Sequence, residues 1–165
     1  MRMSKTVKFN LNGKDVEAEA GETIWQAANR LGEEIPHLCY APKPGYRADG
    51  NCRACMVEIE GERVLAASCI RQPSDGMTVK TQSERAKAAR GMVFEMLMAD
   101  QPEPDKAHNR DSAFWAQAGK VGVDTSRVPA REAPDGDLRH PAMAVKLAAC
   151  IHCNLCVRAC REVQV

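Results

Sequence analysis

Aromatic residues are scarce in this 165-residue chain, since Phe, Trp and Tyr together make up 4% of it. The hydrophobic core must therefore be built mainly from Ala, Val, Leu, Ile and Met. A length of 165 residues leaves room for one ordinary domain with appendages, or for two small domains. Bound metal could supply part of the stability that so modest a core lacks.

The chain also lacks an excess of charge of either sign and any long apolar run. Its 23 Lys and Arg residues nearly balance its 22 Asp and Glu residues, so charge gives no reason to propose a nucleic-acid surface. No stretch approaches the ~18 uninterrupted apolar residues of a membrane-spanning helix. Residues 1–8 have no apolar segment of the kind found in secretory signals. We expect a cytoplasmic protein with no nucleic-acid or membrane partner.

Cysteine, by contrast, is abundant, and without an export signal closely spaced cysteines are more often metal ligands than disulfides. The eight cysteines form two sets of four. The first set has the spacing C-x12-C-x2-C-x13-C and comprises Cys39, Cys52, Cys55 and Cys69. The second has the spacing C-x2-C-x2-C-x3-C and comprises Cys150, Cys153, Cys156 and Cys160. Bacterial ferredoxins use the second spacing for [4Fe–4S] clusters.

Alternating apolar residues predict a hairpin over residues 6–20, with a turn at Asn12-Gly13. A helical pattern follows, capped by Thr23 and stopped at Gly32. Strands are predicted at 56–59, 63–67 and 77–81. The order β-β-α-β-β-β indicates an α+β fold of the β-grasp type over residues 1–81.

Residues 82–140 are expected to hold a helix and an irregular connector. The helix is predicted from Ser83 to Ala99, and its apolar face is Ala86, Ala89, Val93, Met96 and Leu97. From 100 to 140 the chain is rich in Pro, Asp, Arg and Gly, with one helical patch around Phe114. A helical pattern is predicted to resume at Pro141 and to enter the third segment, residues 141–165.

Iron in Fe–S clusters and zinc both prefer thiolate ligands, and the Cys52–Cys55 pair would let two sulfurs of one turn reach the same site. A tetrahedral zinc site, in an interaction domain without a redox role, is therefore one alternative. Small residues and backbone amides surround the pair, at Gly50-Asn51 and Arg53-Ala54. They favour iron, because cluster sulfurs need N–H donors.

Residues 35–39, 49–60 and 67–69 resemble the N-terminal [2Fe–2S] domain of the large peripheral subunit of respiratory complex I and of NAD-linked hydrogenase subunits. The resemblance is strongest to the alpha subunit of cytoplasmic NAD-dependent molybdenum or tungsten formate dehydrogenases. It extends over nearly the whole chain and includes residues 97–102, 140–145 and 149–165. It implies a β-grasp [2Fe–2S] domain whose ligands are Cys39, Cys52, Cys55 and Cys69, followed by a partial [4Fe–4S] ferredoxin-type segment.

The resemblance also implies a function. The chain would relay electrons between a Mo or W bis-molybdopterin centre that oxidises formate and a flavin (FMN) subunit that reduces NAD+, and would carry no catalytic centre itself. Its partners would be the remainder of the alpha subunit and the flavin- and NAD-binding subunits. The alternative is the equivalent module of an NAD-reducing hydrogenase or a complex I-like enzyme. Those relatives carry a His-x3-Cys-x2-Cys-x5-Cys site, whereas here His108 is followed by no cysteine before Cys150.

The second cysteine set is short of ligands. In two-cluster ferredoxins the first three cysteines bind one cluster and the fourth binds another. Cys150, Cys153 and Cys156 would then hold a [4Fe–4S] cluster whose fourth ligand lies outside this chain, and Cys160 would bind a second one completed outside it. We expect the chain to be a piece of a longer alpha subunit, the alternative being a small subunit whose partner supplies these ligands.

The four histidines are not expected to be ligands. His37 either donates a hydrogen bond to the first cluster or packs in the core. His108 and His140 are expected to be solvated or hydrogen-bonded loop residues, and His152 to lie at the edge of the second cluster.

Overall fold

The computed structural model of the chain describes residues 6–107, 109 and 111–164. A five-stranded sheet forms its first part, in the order β2-β1-β5-β3-β4. The strands are β1 Val7–Leu11, β2 Lys14–Ala18, β3 Met56–Ile59, β4 Ala66–Ala67 and β5 Thr78–Lys80. β1 runs parallel to β5, and the other neighbours are antiparallel.

The first hairpin turns at Asn12 and Gly13, whose φ angles of 53° and 86° lie in the left-handed region. Both residue types adopt that region readily, so the pair makes a two-residue turn whose twist matches that of the strands. The register pairs Leu11 with Lys14. Phe9 and Leu11 are both buried, as the alternating pattern predicts.

The helix of the sheet domain, α1, spans Ile24–Arg30. The hydroxyl of Thr23 accepts a hydrogen bond from the backbone N–H of Gln26, and the Gln26 side chain accepts one from the backbone N–H of Thr23. This reciprocal pair satisfies two amides that the first helical turn would otherwise leave free. Ile24, Ala27 and Ala28 are fully buried in the same core as the sheet. The predicted α+β class and element order are confirmed.

Two predicted strands are shorter than the pattern indicates, because β3 divides its pairing between two neighbours. Met56 and Val57 pair with β4, whereas Glu58 and Ile59 pair with β5. Each neighbour therefore has only two partner residues on β3. The predicted strands over 63–67 and 77–81 shrink to 66–67 and 78–80.

The second helix, α2, spans Glu84–Met98 and is capped by the Ser83 hydroxyl. Its buried positions recur every four residues and are Ala86, Arg90, Phe94 and Met98. The predicted face through Met96 is wrong, since Met96 is 58% exposed. The side of α2 that carries Phe94 is buried by a second core instead.

That second core joins α2 to a third helix, α3, at Ala113–Val121. It consists of Leu38, Ala54, Phe94, Met98, Phe114 and Ala118. The rings of Phe94 and Phe114 lie 6.0 Å apart. Because Leu38 and Ala54 belong to the loop between α1 and β3, this core holds the cysteine-bearing loop against both helices.

The predicted connector lies against α2. The Ser126 hydroxyl donates a hydrogen bond of 2.9 Å to the carbonyl of Glu95. Arg127 makes a two-pronged ion pair with the Glu95 carboxylate, at 2.7 and 2.8 Å. This ion pair holds the pKa of Glu95 below its usual range, at about 2.

A small hairpin follows, with β6 at Asp137–His140 and β7 at Met143–Val145. The helix predicted from Pro141 is therefore wrong at its start. Pro141 and Ala142 form the turn, and the short helical elements come later, as a 3₁₀ turn at Leu147–Ala149, α4 at Leu155–Arg158 and a π-helical turn at Ala159–Val163. Among the described residues, no helix combines the length and the apolar character that crossing a membrane requires.

The second core makes a direct prediction for Phe94. Replacing Phe94 with Ala should lower the free energy of unfolding by ~3–5 kcal/mol, because it leaves a cavity between α2 and α3. The matched control is M96A, on the exposed side of the same helix, which should change stability by less than ~0.5 kcal/mol. Denaturant titration followed by circular dichroism measures both. Equal losses of stability in the two variants would contradict the burial of Phe94 between α2 and α3.

Candidate iron–sulfur site

The first cysteine set lies where the long loop meets the sheet. Cys55 immediately precedes β3, and Cys69 follows closely after β4. The indole N–H of Trp25 donates a hydrogen bond of 3.0 Å to the carbonyl of Ile35, which holds the start of the loop against α1. Ser68 donates to the carbonyl of Cys55 from its backbone N–H at 3.2 Å and from its hydroxyl at 2.8 Å. These two bonds fix Cys69 beside Cys55.

Backbone amides point at the sulfurs of this set. The N–H of Cys39 donates to Sγ of Cys52 at 3.4 Å, and the N–H of Cys52 donates to Sγ of Cys39 at 3.4 Å. The N–H of Ala54 donates to the Cys52 sulfur at 3.5 Å. Cys39, Cys55 and Cys69 are each 1% exposed, and Cys52 is partly exposed. The site therefore combines burial with the N–H donors that stabilise negative charge on cluster sulfurs.

The four thiols also interact with one another. Hydrogen bonds from Cys52 and Cys69 hold the pKa of Cys39 far below its usual range. Cys69 also lowers the pKa of Cys55, to about 7. The pKa values of Cys52 and Cys69 are raised in turn, because their protons bridge to neighbouring thiolates. Since metals bind the deprotonated form of cysteine, a site that favours thiolates at two positions is suited to metal.

These contacts join the four sulfurs in one series, in which Cys39 is hydrogen-bonded to Cys52 and Cys69, and Cys69 also to Cys55. In the part of the chain that the structure describes, no three His, Cys, Asp or Glu side chains form a site for a single metal ion. A structural zinc would need four ligands at about 2.0–2.3 Å from one point. A [2Fe–2S] cluster instead takes a pair of thiolates on each iron, so the donor set fits this group.

Gly50 allows the loop to pass close to the cysteine after β4. Its φ of +63° lies in the left-handed region, and a Cβ at this position would lie 2.7 Å from Cδ1 of Ile70. Ile70 directly follows Cys69. A side chain at position 50 would therefore strain the backbone and also displace the half-exposed side chain of Ile70.

The second cysteine set lies on a more exposed segment. Cys150 and Cys153 are partly exposed, whereas Cys156 in α4 and Cys160 in the π-helical turn are exposed. The backbone N–H of His152 donates to Sγ of Cys150 at 3.5 Å. Burial raises the pKa of Cys153. The [4Fe–4S] assignments of these four residues stay predictions.

Arg158 docks this segment on the loop of the first set. Its side chain is buried, with Nη1 at 3.4 Å from Oδ2 of Asp49 and Nε at 3.4 Å from Oε2 of Glu162. The guanidinium lies 5.8 Å from the ring centroid of Tyr46 and donates a hydrogen bond to the carbonyl of Arg47. Sequence reasoning misses this residue, because its partners at 46–49 lie on a distant part of the chain.

A hydrogen bond joins the two cysteine loops directly. Nδ2 of Asn51 donates to the carbonyl of His152 at 2.6 Å. Asn51 precedes Cys52, and His152 lies between two cysteines of the second set. Ile151 packs against the same apolar cluster as Cys52. The two sets are therefore neighbours in space, although about a hundred residues separate them in sequence.

The described histidines have packing and loop contacts. The ring of His37 meets the ring of Trp25 edge-on at 4.6 Å, and burial lowers the pKa of His37. These are the contacts of a residue that packs in the core. His140 lies at the β6–β7 turn, where its Nδ1 accepts a hydrogen bond from the backbone N–H of Ala142 at 3.1 Å. His108 lies outside the described residues.

Replacing Gly50 with Ala should destabilise the chain and reduce the iron that it retains. The left-handed φ alone costs a non-glycine residue ~1–2 kcal/mol, and contact with Ile70 adds to this. The matched control is G61A, which has a φ of +81° but whose Cβ would meet no atom within 4 Å. Denaturant titration and iron analysis should show a larger loss in G50A than in G61A. Equal losses would contradict the crowding at Ile70.

Replacing Arg158 with Met should loosen residues 150–163 without unfolding the sheet. The substitution removes the ion pairs and the hydrogen bond that hold this segment on the loop, but it preserves much of the apolar stem. Hydrogen exchange should become faster in residues 150–163 and stay unchanged in β1 and β3. R161M, at an exposed position of the same segment, is the control. Unchanged exchange in R158M would show that other contacts dock the segment.

Comparisons with known proteins agree with this geometry. Residues 4–84 match the family described as 2Fe-2S iron-sulfur cluster binding domain. The chain is 35% identical over 162 residues to the G 2 subunit of NADH-quinone oxidoreductase from Rhizobium meliloti, covering 95% of this chain and 19% of the relative. It is 36% identical to the mitochondrial NADH-ubiquinone oxidoreductase 78 kDa subunit of Candida albicans, covering 95% of this chain and 22% of the relative.

Hydrogenases are similar as well. Identity to the HndD subunit of the NADP-reducing hydrogenase from Solidesulfovibrio fructosivorans is 34% over 169 residues, covering 94% of this chain and 28% of the relative. A crystal structure of an NAD+-reducing [NiFe]-hydrogenase in the H2-reduced state superposes with a TM-score of 0.80 at 31% identity, covering 93% of this chain and 65% of that one.

The chain thus spans between about a fifth and somewhat over a quarter of the length of these curated relatives. They are named as NADH oxidoreductases and a hydrogenase, so the formate dehydrogenase assignment stays a prediction. Residues 4–84 thus match the 2Fe-2S iron-sulfur cluster binding domain family, and nearly the whole chain is similar to part of the G subunit of NADH-quinone oxidoreductase and to part of NAD- and NADP-reducing hydrogenases.

Proposed function

We propose that this chain is an iron–sulfur electron-transfer module of an NAD-linked oxidoreductase complex of the hydrogenase and NADH-quinone oxidoreductase type. The observation that carries the proposal is the mutual contact of four thiols, with backbone N–H groups directed at the sulfurs of Cys39 and Cys52. Cys39 and Cys52 would bind one iron of a [2Fe–2S] cluster, and Cys55 and Cys69 the other. When bound, the cluster supplies one-electron redox chemistry.

The chain's own residues set the conditions for that chemistry. The amides of Cys39, Cys52 and Ala54 stabilise negative charge on the sulfurs without any proton transfer. Burial of Cys39, Cys55 and Cys69 keeps water away from three of the sulfurs, whereas Cys52 is partly exposed. Plant-type clusters have potentials of about −400 mV, and a similar value here would allow exchange with a flavin.

The second cysteine set extends the proposed path. Cys150, Cys153 and Cys156 would hold a [4Fe–4S] cluster with a fourth ligand from elsewhere, and Cys160 would serve a further one. The docking by Arg158 and the hydrogen bond from Asn51 to His152 support this, because they place the second loop beside the first. Partner subunits would carry the flavin and NAD sites.

A formate dehydrogenase is the second candidate for the parent complex. The observation in its favour is the absence of cysteine between Cys69 and Cys150, where the complex I relatives that the sequence resembles have a further cluster site. In that case the electrons would come from a Mo or W bis-molybdopterin centre in the remainder of the alpha subunit. Three assays of the purified complex distinguish these parents. They are NAD+ reduction with formate, NAD+ reduction with hydrogen, and the reverse reaction with NADH as the electron donor.

The cluster assignment has its own test. The chain purified without oxygen should be brown and should give a rhombic [2Fe–2S] EPR signal on reduction. Serine at any of Cys39, Cys52, Cys55 and Cys69 should abolish or alter that signal. The matched control is C156S, in the second set, which should leave it unchanged. Stoichiometric zinc without iron or sulfide would contradict the proposal and favour a zinc-stabilised interaction domain.

A further inference from the structure

Arg90 is a buried cation without a partner in the described part of the chain. It lies in the middle of α2, is 3% exposed, and its Nη1 makes no hydrogen bond. An unpaired charge inside a protein is unfavourable, and buried charges are normally paired or bound to a metal site. The position therefore needs a source of negative charge, and no carboxylate of the described residues pairs with it.

The neighbouring cations differ from Arg90 in this respect. Lys87 and Lys120 lie around the same cavity of about 540 Å³. Lys87 pairs with Glu84 at 3.1 Å, and Lys120 pairs with Glu34 at 2.9 Å. Although Arg90 also lines this cavity, its Nη1 atom is shielded from solvent.

The packing of α2 places Arg90 near the first cysteine set. α2 contacts β3, the strand that begins directly after Cys55. The cavity beside Arg90 is walled by Ile35 and His37, on the loop that leads to Cys39. Phe94, one turn after Arg90 on the buried side of α2, packs in one cluster with Ala54, the residue directly before Cys55. The buried side of α2 that carries Arg90 therefore packs against the segment of the first cysteine set.

We propose that Arg90 is the buried counter-charge of the iron–sulfur cluster and raises its reduction potential. The inference rests on the proposed [2Fe–2S] function of Cys39, Cys52, Cys55 and Cys69. A cluster held by four thiolates is negatively charged, and reduction adds one more electron from a flavin or another cluster. A fixed positive charge in a medium of low dielectric stabilises the reduced state more than the oxidised state.

Substitutions at Arg90 separate charge from shape. R90M and R90Q remove the charge, and R90K keeps it. R85Q, on an exposed turn of the same helix, is the matched control. The midpoint potential is measured in the full chain by EPR-monitored redox titration of the [2Fe–2S] signal, alongside iron and sulfide content. We expect a more negative potential in R90M and R90Q, a smaller shift in R90K and none in R85Q.

Each outcome decides the proposal. An unchanged potential in R90M and R90Q with a full cluster would overturn it. If these two variants fail to assemble the cluster while R90K succeeds, the need for charge is supported. If R90K fails equally, shape matters and charge does not, and the proposal is overturned. Absence of the signal in the unmodified chain would instead contradict the [2Fe–2S] function itself.

Discussion

Close contact among four thiols, three of them buried and one partly exposed, determines how the loop, the sheet and α2 are arranged. Such a group is stable only if backbone amides and a bound metal group compensate the charge of the thiolates. The sheet supplies Cys55 and Cys69, and the loop between α1 and β3 supplies Cys39 and Cys52. The second core, through Leu38 and Ala54, holds that loop in place.

The arrangement beyond the first site follows from the same loop. Residues 45–51 meet the segment that carries the second cysteine set, through Arg158 and through the bond from Asn51 to His152. This loop therefore places the two cysteine sets side by side. The helix α2, which carries the buried Arg90, packs on β3, the strand that begins directly after Cys55. The first cysteine set therefore has both a second cysteine loop and a helix with a buried cation beside it.

Local signals explain what could be predicted. The Asn12-Gly13 turn, the Thr23 cap and the C-x2-C spacing each depend on adjacent residues, and the structure contains the predicted hairpin, α1 and the grouped cysteines.

Non-local packing explains the predictions that were wrong or missing. The buried face of α2 depends on α3, which lies far along the chain, and the partners of Arg158 lie more than a hundred residues before it. The hairpin after Gly136 was not predicted, because its apolar residues also fit a helical pattern and its strands are mostly exposed.

We infer that the first cysteine set alone holds a [2Fe–2S] cluster. Metal and acid-labile sulfide analysis of the chain with serine at Cys150, Cys153, Cys156 and Cys160 checks this inference, because only the first set remains. We expect about two irons and about two sulfides per chain, the content of one [2Fe–2S] cluster, with no zinc. One zinc per chain without sulfide, or no bound metal in a folded chain, would contradict it.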